Sequence, residues 1–332
     1  MKKVVIDIYG ADNGTLPILK GAADVLLKNE ELNVVFVGDA GTVTSAMNEY
    51  GIPKDRYEIV HTDEMIKNTD IPTDIFKGHA KENCSMGLAL DTLANDGDTV
   101  GLLSAGNTGA LLIGSIFRLG LVKGLKMPAL STNLPCMEEG KFVCLVDCGA
   151  NVDCKAKNLC DFALLGNAYA KSVYGLESPR IGLMSVGRED NKGNALTKEA
   201  FAALKELPVN FIGNLEGTDL FTGEADVIVC DGYAGNLLLK NAEAVGKYGV
   251  AMIEELAKKH PVSEEFLEAA RAMFSYRLDF NSNGGATFLG TKKTVIKMHG
   301  RANAHTVEAC IDQMDLLHER SFDKYIASAL AQ

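Results

Sequence analysis

Apolar residues in this chain gather into short unbroken runs, each closed by a polar or glycine-rich stretch. Longer segments follow, with apolar positions three and four apart. Runs at 4–8, 34–37, 57–61, 100–103, 129–132, 142–146, 181–186, 227–230 and 294–298 predict strands. They are continuous rather than alternating, as burial on both faces of a sheet requires. The periodic segments at 16–28, 85–94, 110–119, 158–174, 197–207 and 237–276 predict helices. Residues 70–81 predict an irregular polar loop. Strands alternating with helices give a three-layer α/β/α fold around a mostly parallel sheet. The expected organisation is a single α/β domain over 1–332, with a protruding helical insertion at about 237–280.

In a parallel sheet the loops leaving the strand C-termini share one edge, where ligands bind. Here those loops carry Asp7, Asp12 and Asn13; Ser104, Gly106, Asn107 and Thr108; Asp147 and Asn151; Lys192 and Asn194; Asn214; Asp231 and Asn236; and His299. Taken singly, each reads as a turn or a helix cap. Their number on one edge points to a site for a small polar anion. Residues 104–108 are the expected cradle, where glycines bring backbone N–H groups close and a helix N-terminus adds partial positive charge. The stretch lacks the lysine of a phosphate-binding P-loop and the spaced glycines of a dinucleotide turn. No cofactor is therefore expected, and a nicotinamide dehydrogenase is disfavoured.

Composition narrows the function further. The 332-residue chain is 47% hydrophobic and has a net charge of −11, so its field opposes nucleic acid. Lysines at 2 and 3 precede an apolar run that Asp7 interrupts, too short for a secretory signal, and no run reaches membrane-spanning length. A cytoplasmic protein is expected. The eight cysteines include no C-x-x-C pair, so no metal site is expected. Asp147 with Asp231 is the alternative, as a magnesium pair. Among candidate nucleophiles Cys84, Cys148, Cys230 and Cys310, the carboxylate following Cys230 opposes thiolate formation. Arg118, Lys123 and Lys126 form a small basic cluster that reads as a solvated helix end.

Seven segments carry a resemblance. They are SAGNTGA (104–110), DCGANVDCK (147–155), NKGNALTKEA (191–200), FIGNLEG (211–217), CDGYAGNLLLK (230–240), GGATFLG (284–290) and VIKMHG (295–300). In this order they resemble the acyl-acyl carrier protein:phosphate acyltransferase (PlsX) family of bacterial phospholipid synthesis. The chain departs from the family where DAMGGD is usual and residues 7–12 read DIYGAD. The family's basic run is also thinned, to Lys77, His79 and Lys81. The resemblance implies an isocitrate-dehydrogenase- and phosphotransacetylase-like fold. It implies transfer of a long-chain acyl group from acyl carrier protein to inorganic phosphate, giving acyl phosphate.

On that reading Ser104, Gly106, Asn107, Thr108 and Asn236 hold phosphate, while Lys192 and Asn194 balance charge. His299 hydrogen-bonds the oxyanion or protonates the leaving thiolate. The resemblance further implies a homodimer in peripheral contact with the inner face of the membrane or the downstream membrane acyltransferase. Phe266, Met273, Phe274 and Tyr276 are the candidate contacts. The competing readings are a phosphate acetyltransferase-like enzyme using acyl-CoA and a non-catalytic anion-binding module.

Overall fold

In a computed structural model that describes residues 2–67, 69–76, 83–260, 262–278, 284–322, 325–326 and 330, the apolar runs become strands. The first elements are β1 (Lys2–Asp7), α1 (Leu16–Lys28), β2 (Leu32–Gly38), α2 (Ala40–Glu49), β3 (Tyr57–His61) and α3 (Pro72–Phe76). Next come α4 (Ser85–Asn95), β4 (Thr99–Ser104), α5 (Thr108–Arg118), β5 (Ala129–Pro135), β6 (Phe142–Val146), α6 (Ala156–Val173) and β7 (Arg180–Met184). Then follow α7 (Ala195–Lys205), β8 (Asn210–Leu215), β9 (Val227–Val229), α8 (Gly232–Lys259) and α9 (Glu264–Leu278). The last are β10 (Ala286–Leu289), β11 (Thr294–Lys297) and α10 (Ala304–Glu319).

Where the sequence suggests one domain, the chain packs as two compact units, 1–128 with 284–331 and 129–283. In the first, strands run in the order β3-β2-β1-β4-β11-β10, parallel except for the β10–β11 pair. Val4, Val5, Ile6, Phe36, Leu102, Leu103, Val295 and Ile296 are buried along consecutive positions, so both strand faces are covered. Helix α1 starts with proline in its first turn and ends with Lys28, both favourable to a helix end. Its inner face presents Ile18, Leu19, Ala22, Val25 and Leu26.

The second unit orders its strands β5-β6-β9-β7-β8, with β5 antiparallel to β6 and the others parallel. Phe162, Leu165 and Tyr169 of α6 are buried against this sheet. Helices α8 and α9 occupy the stretch read as helical from the sequence, with α8 beginning at Gly232 rather than 237. The Asp231 carboxylate accepts from the Ala234 N–H and starts the helix there. Further elements differ from the sequence reading. The loop expected at 70–81 contains the short α3, and β8 and β10 form where no strand is predicted. The thinned basic run at 77–81 lies outside the described residues. Among the described residues, no helix is long and apolar enough to cross a membrane.

Candidate functional site

In the first unit, sheet register places Asp7 opposite Ser104 and Ser104 opposite Lys297, so three strand ends meet side by side. Ser104 is fully buried. Its Oγ donates to Asp7 Oδ2 at 2.8 Å and accepts from the Gly106 N–H at 3.1 Å. Lys297 Nζ donates to the carbonyl of Ala105 at 3.1 Å and also to that of Met298. The turn after β4 is thus fastened from both neighbouring strands. Gly10 (φ +88°) lies against Gly106 Cα, a contact that leaves no room for a Cβ. The DIYGAD variant therefore keeps the one glycine its turn requires.

Burial lifts the Asp7 carboxyl to about 6, against hydrogen bonds from Ser85, Ser104 and the Tyr9 N–H and the nearby charge of Lys297. Ser104 and Gly106, both expected in the phosphate cradle, spend their polar groups beneath it. Asn107 caps α5 by accepting from the Ala110 N–H at 2.9 Å. The N–H groups of Thr108 and Gly109 open the helix, where the backbone offers them no carbonyl. Asp12 and Asn13 reach the end of β11 instead: the Asp12 N–H donates to Gly300, and Asn13 Nδ2 to Arg301. Half-buried His299 accepts from the Arg301 N–H at Nδ1, so its neutral ring carries the hydrogen on Nε2.

The second unit gathers the remaining candidates at the C-terminal ends of its parallel strands. Asp147 is fully buried and ties the loop after β6 together. Its carboxylate accepts from the N–H groups of Leu130, Gly149, Ala150 and Asn151 and from Asn151 Nδ2. Burial raises its pKa, and these donors oppose the rise. With its oxygens so occupied and Asp231 capping α8, the pair is a scaffold rather than a magnesium site. Asn236, exposed on the first turn of α8, lies beside Gly149.

Asn194 caps α7 through the Thr197 N–H at 2.9 Å. Lys192 is exposed on the same loop. Asn214 donates from Nδ2 to the Glu189 carbonyl at 2.9 Å, fastening that loop to β8, while its Oδ1 is buried without a partner.

The cysteines fit a packing role. Burial pushes Cys144 and Cys310 up to about 12, and it likewise raises Cys148 and Cys230. Cys230 Sγ donates to the Asp147 carbonyl at 3.3 Å. Asp39, His61 and Asp63 also cluster in the first unit. There His61 Nδ1 accepts from the Ala40 N–H, placing the neutral ring's hydrogen on Nε2, which faces Asp63 at 3.9 Å. Asp39 is spent on capping α2. The ligand atoms of these three side chains lie within 4.8 Å of one another. Sequence reasoning misses Lys297 and Ser85. Lys297 lies within VIKMHG, and its strand-end position is the signal that marks it.

The chain matches the family described as "Fatty acid synthesis protein" over residues 2–324. It is 37% identical over 314 residues to a phosphate acyltransferase of Clostridioides difficile, covering 94% of this chain and 91% of that one. A phosphate acyltransferase of Helicobacter pylori is 40% identical over 314 residues, covering 94% and 90%. Among solved structures, a phosphotransacetylase from Streptococcus pyogenes superposes with TM-score 0.62 at 15% identity, over 100% of this chain and 95% of that one. A branched-chain phosphotransacylase from Enterococcus faecalis gives 0.60 at 17%, over 95% and 98%. The mostly parallel mixed sheet is thus a phosphotransacetylase-like fold.

Proposed function

The chain belongs to the fatty acid synthesis protein family, and from that premise we propose how it works as a phosphate acyltransferase making acyl phosphate for phospholipid synthesis. The donor is a long-chain acyl group on acyl carrier protein, and the acceptor is inorganic phosphate. A phosphate oxygen attacks the thioester carbonyl, the carbon–sulfur bond breaks, and the phosphate's proton ends on the departing thiol. Neither a covalent acyl-enzyme nor an external oxidant is needed. The protein's task is to hold a doubly charged nucleophile within about 3 Å of an uncharged carbon.

The observation that carries this reading is the braced turn after β4. Asp7, Ser104 and Lys297 fix its backbone from beneath. The phosphate then sits on the N–H groups that open α5, at Thr108 and Gly109, with Asn107 holding the helix start. His299 donates from Nε2 to the developing oxyanion. Its Nδ1 bond to the Arg301 N–H favours that role over protonating the thiolate.

The test is thiol release from palmitoyl-acyl carrier protein with and without phosphate, with palmitoyl-CoA as a competing donor. Release that requires phosphate and prefers the carrier-protein thioester is expected. Phosphate-independent release would remove the reading. The exposed apolar positions Leu237, Val245, Tyr248, Met252 and Leu256 repeat at helical spacing along α8. They support a homodimer through this helix. Phe266 and Met273 on α9 are also exposed and support peripheral contact with a lipid surface. Flotation with anionic liposomes tests that contact, and protein left in the pellet would refute it.

A further inference from the structure

The second unit contains an apolar hollow of about 360 Å³ between the end of β5 and the last turns of α9. That volume lies at the low end of the ~300–1,000 Å³ range of small-molecule sites. Its walls include Cys136, Met137, Phe221, Met273 and Phe274, and Arg277 stands among them. Register places it far from the strand-end loops. Pro135 pairs with Phe142 at the start of β6, whereas Asp147 follows the end of that strand. The separation from Phe142 to Asp147 is roughly 16 Å at about 3.3 Å per residue.

Arg277 gives the hollow its chemistry. Its Nη1 donates to the carbonyls of Cys136 and Met137, which anchors the side chain beside the cavity. No carboxylate among the described residues pairs with it, although the chain has 44 acidic residues against 33 basic ones. The Nε–H and both Nη2 hydrogens remain, forming the planar fork that binds phosphate or carboxylate through two parallel bonds. An apolar cavity with an unsatisfied guanidinium fork matches a single-chain amphiphile with an anionic head. The two methionines, one of them Met137 at 77% exposure, make the walls adaptable to a flexible chain.

We propose that this hollow is a second binding site for the long-chain acyl phosphate the enzyme makes, with the phosphate on Arg277 and the chain among Phe221, Met273 and Phe274. The ligand's identity rests on the acyltransferase reading above. Within the second unit the hollow lies at the opposite end of β6 from the Asp147 loop.

The protein has no tryptophan, so Phe221→Trp supplies a single reporter in the cavity wall. The full chain carrying it is titrated with hexadecyl phosphate below its micelle concentration, and separately with hexadecanol and with inorganic phosphate. A saturable blue shift with hexadecyl phosphate is expected, at least tenfold tighter than with hexadecanol, and no shift with phosphate alone. Arg277→Gln should abolish the preference for the charged head, and Arg277→Lys should restore part of it. Since Arg277 also clamps the 136–137 turn, Met273→Asp provides an independent check. It sets a like charge in the wall at an exposed position and should weaken hexadecyl phosphate at least tenfold.

Absence of a saturable shift, equal binding of hexadecanol, or indifference to both Arg277→Gln and Met273→Asp would overturn the proposal. So would reporter emission that shifts with protein concentration in the absence of ligand, which would mean that a second copy fills the cavity. Phosphate-dependent thiol release is measured on the same preparations. Its loss with hexadecyl phosphate binding intact would count against the acyltransferase reading and leave the site standing.

Discussion

Asp7 is a carboxylate that the fold has withdrawn from water, and its protonation is therefore coupled to stability. In an unfolded chain it titrates near 3.8, and in the structure at about 6. Between those values the folded state holds the proton more tightly, so stability falls as pH rises from about 4 to about 6 and is level above. The loss is roughly 3 kcal/mol. Asp7→Asn should remove that slope, seen as wild-type and variant urea midpoints converging or crossing through this window. Parallel pH profiles would place the proton elsewhere.

Two neighbours separate support from contact. Asn107→Ala should cost about 1 kcal/mol of stability through the lost cap and raise the KM for phosphate, read by urea unfolding and initial rates. His299→Ala should lower kcat on the order of 10²-fold, with His299→Gln intermediate because glutamine still donates a hydrogen bond. Equal loss in both variants would argue for proton transfer instead. At this scale the sequence was only partly legible. It marked Ser104 and Gly106 as polar strand-end residues, but nothing local told that their groups face Asp7 and each other rather than a ligand. The Asp7–Ser104–Lys297 alignment depends on which strands become neighbours.

Among the elements, α8 is placed by close backbone approach at its start. Gly235 lies directly on the Asp147 carbonyl, and Gly232 on the Asn151 backbone. A methyl group at 235 has nowhere to go. Gly235→Ala should therefore destabilise the second unit by about 1–3 kcal/mol and disturb the Asp147 loop, measured by urea unfolding and amide exchange at 147–151. Unchanged protection there would show that the helix start slides freely.

Elements with long apolar runs or clear caps were readable in advance; β3, α1 and β6 have the predicted bounds. What escaped was short. β10 has four residues and follows a pair of glycines, so its pairing with β11 supplies what its own sequence lacks. Proline starts α3 within a polar stretch, and its burial of Ile75 and Phe76 is a tertiary effect.

For the whole molecule, the exposed α8 stripe is the feature most in need of a partner. Met252→Glu combined with Tyr248→Glu should halve the mass seen by sedimentation equilibrium without altering the far-ultraviolet spectrum. A wild type already monomeric at micromolar concentration would dismiss the dimer. The broad α/β class was readable because alternating strands and helices leave few alternatives. The division into two units was not, because the boundary at 128–129 carries no compositional break.

That division has a consequence for how the chain is made. The second unit is a continuous stretch, whereas the first lacks β11, the strand beside β4, until residues 294–297 are added. On the ribosome the inserted half is complete while its host still exposes a raw strand margin along β4. The interval before residues 294–297 emerge is therefore when the nascent chain is open to mispairing, and Lys297 is the later-arriving pin that ends that interval.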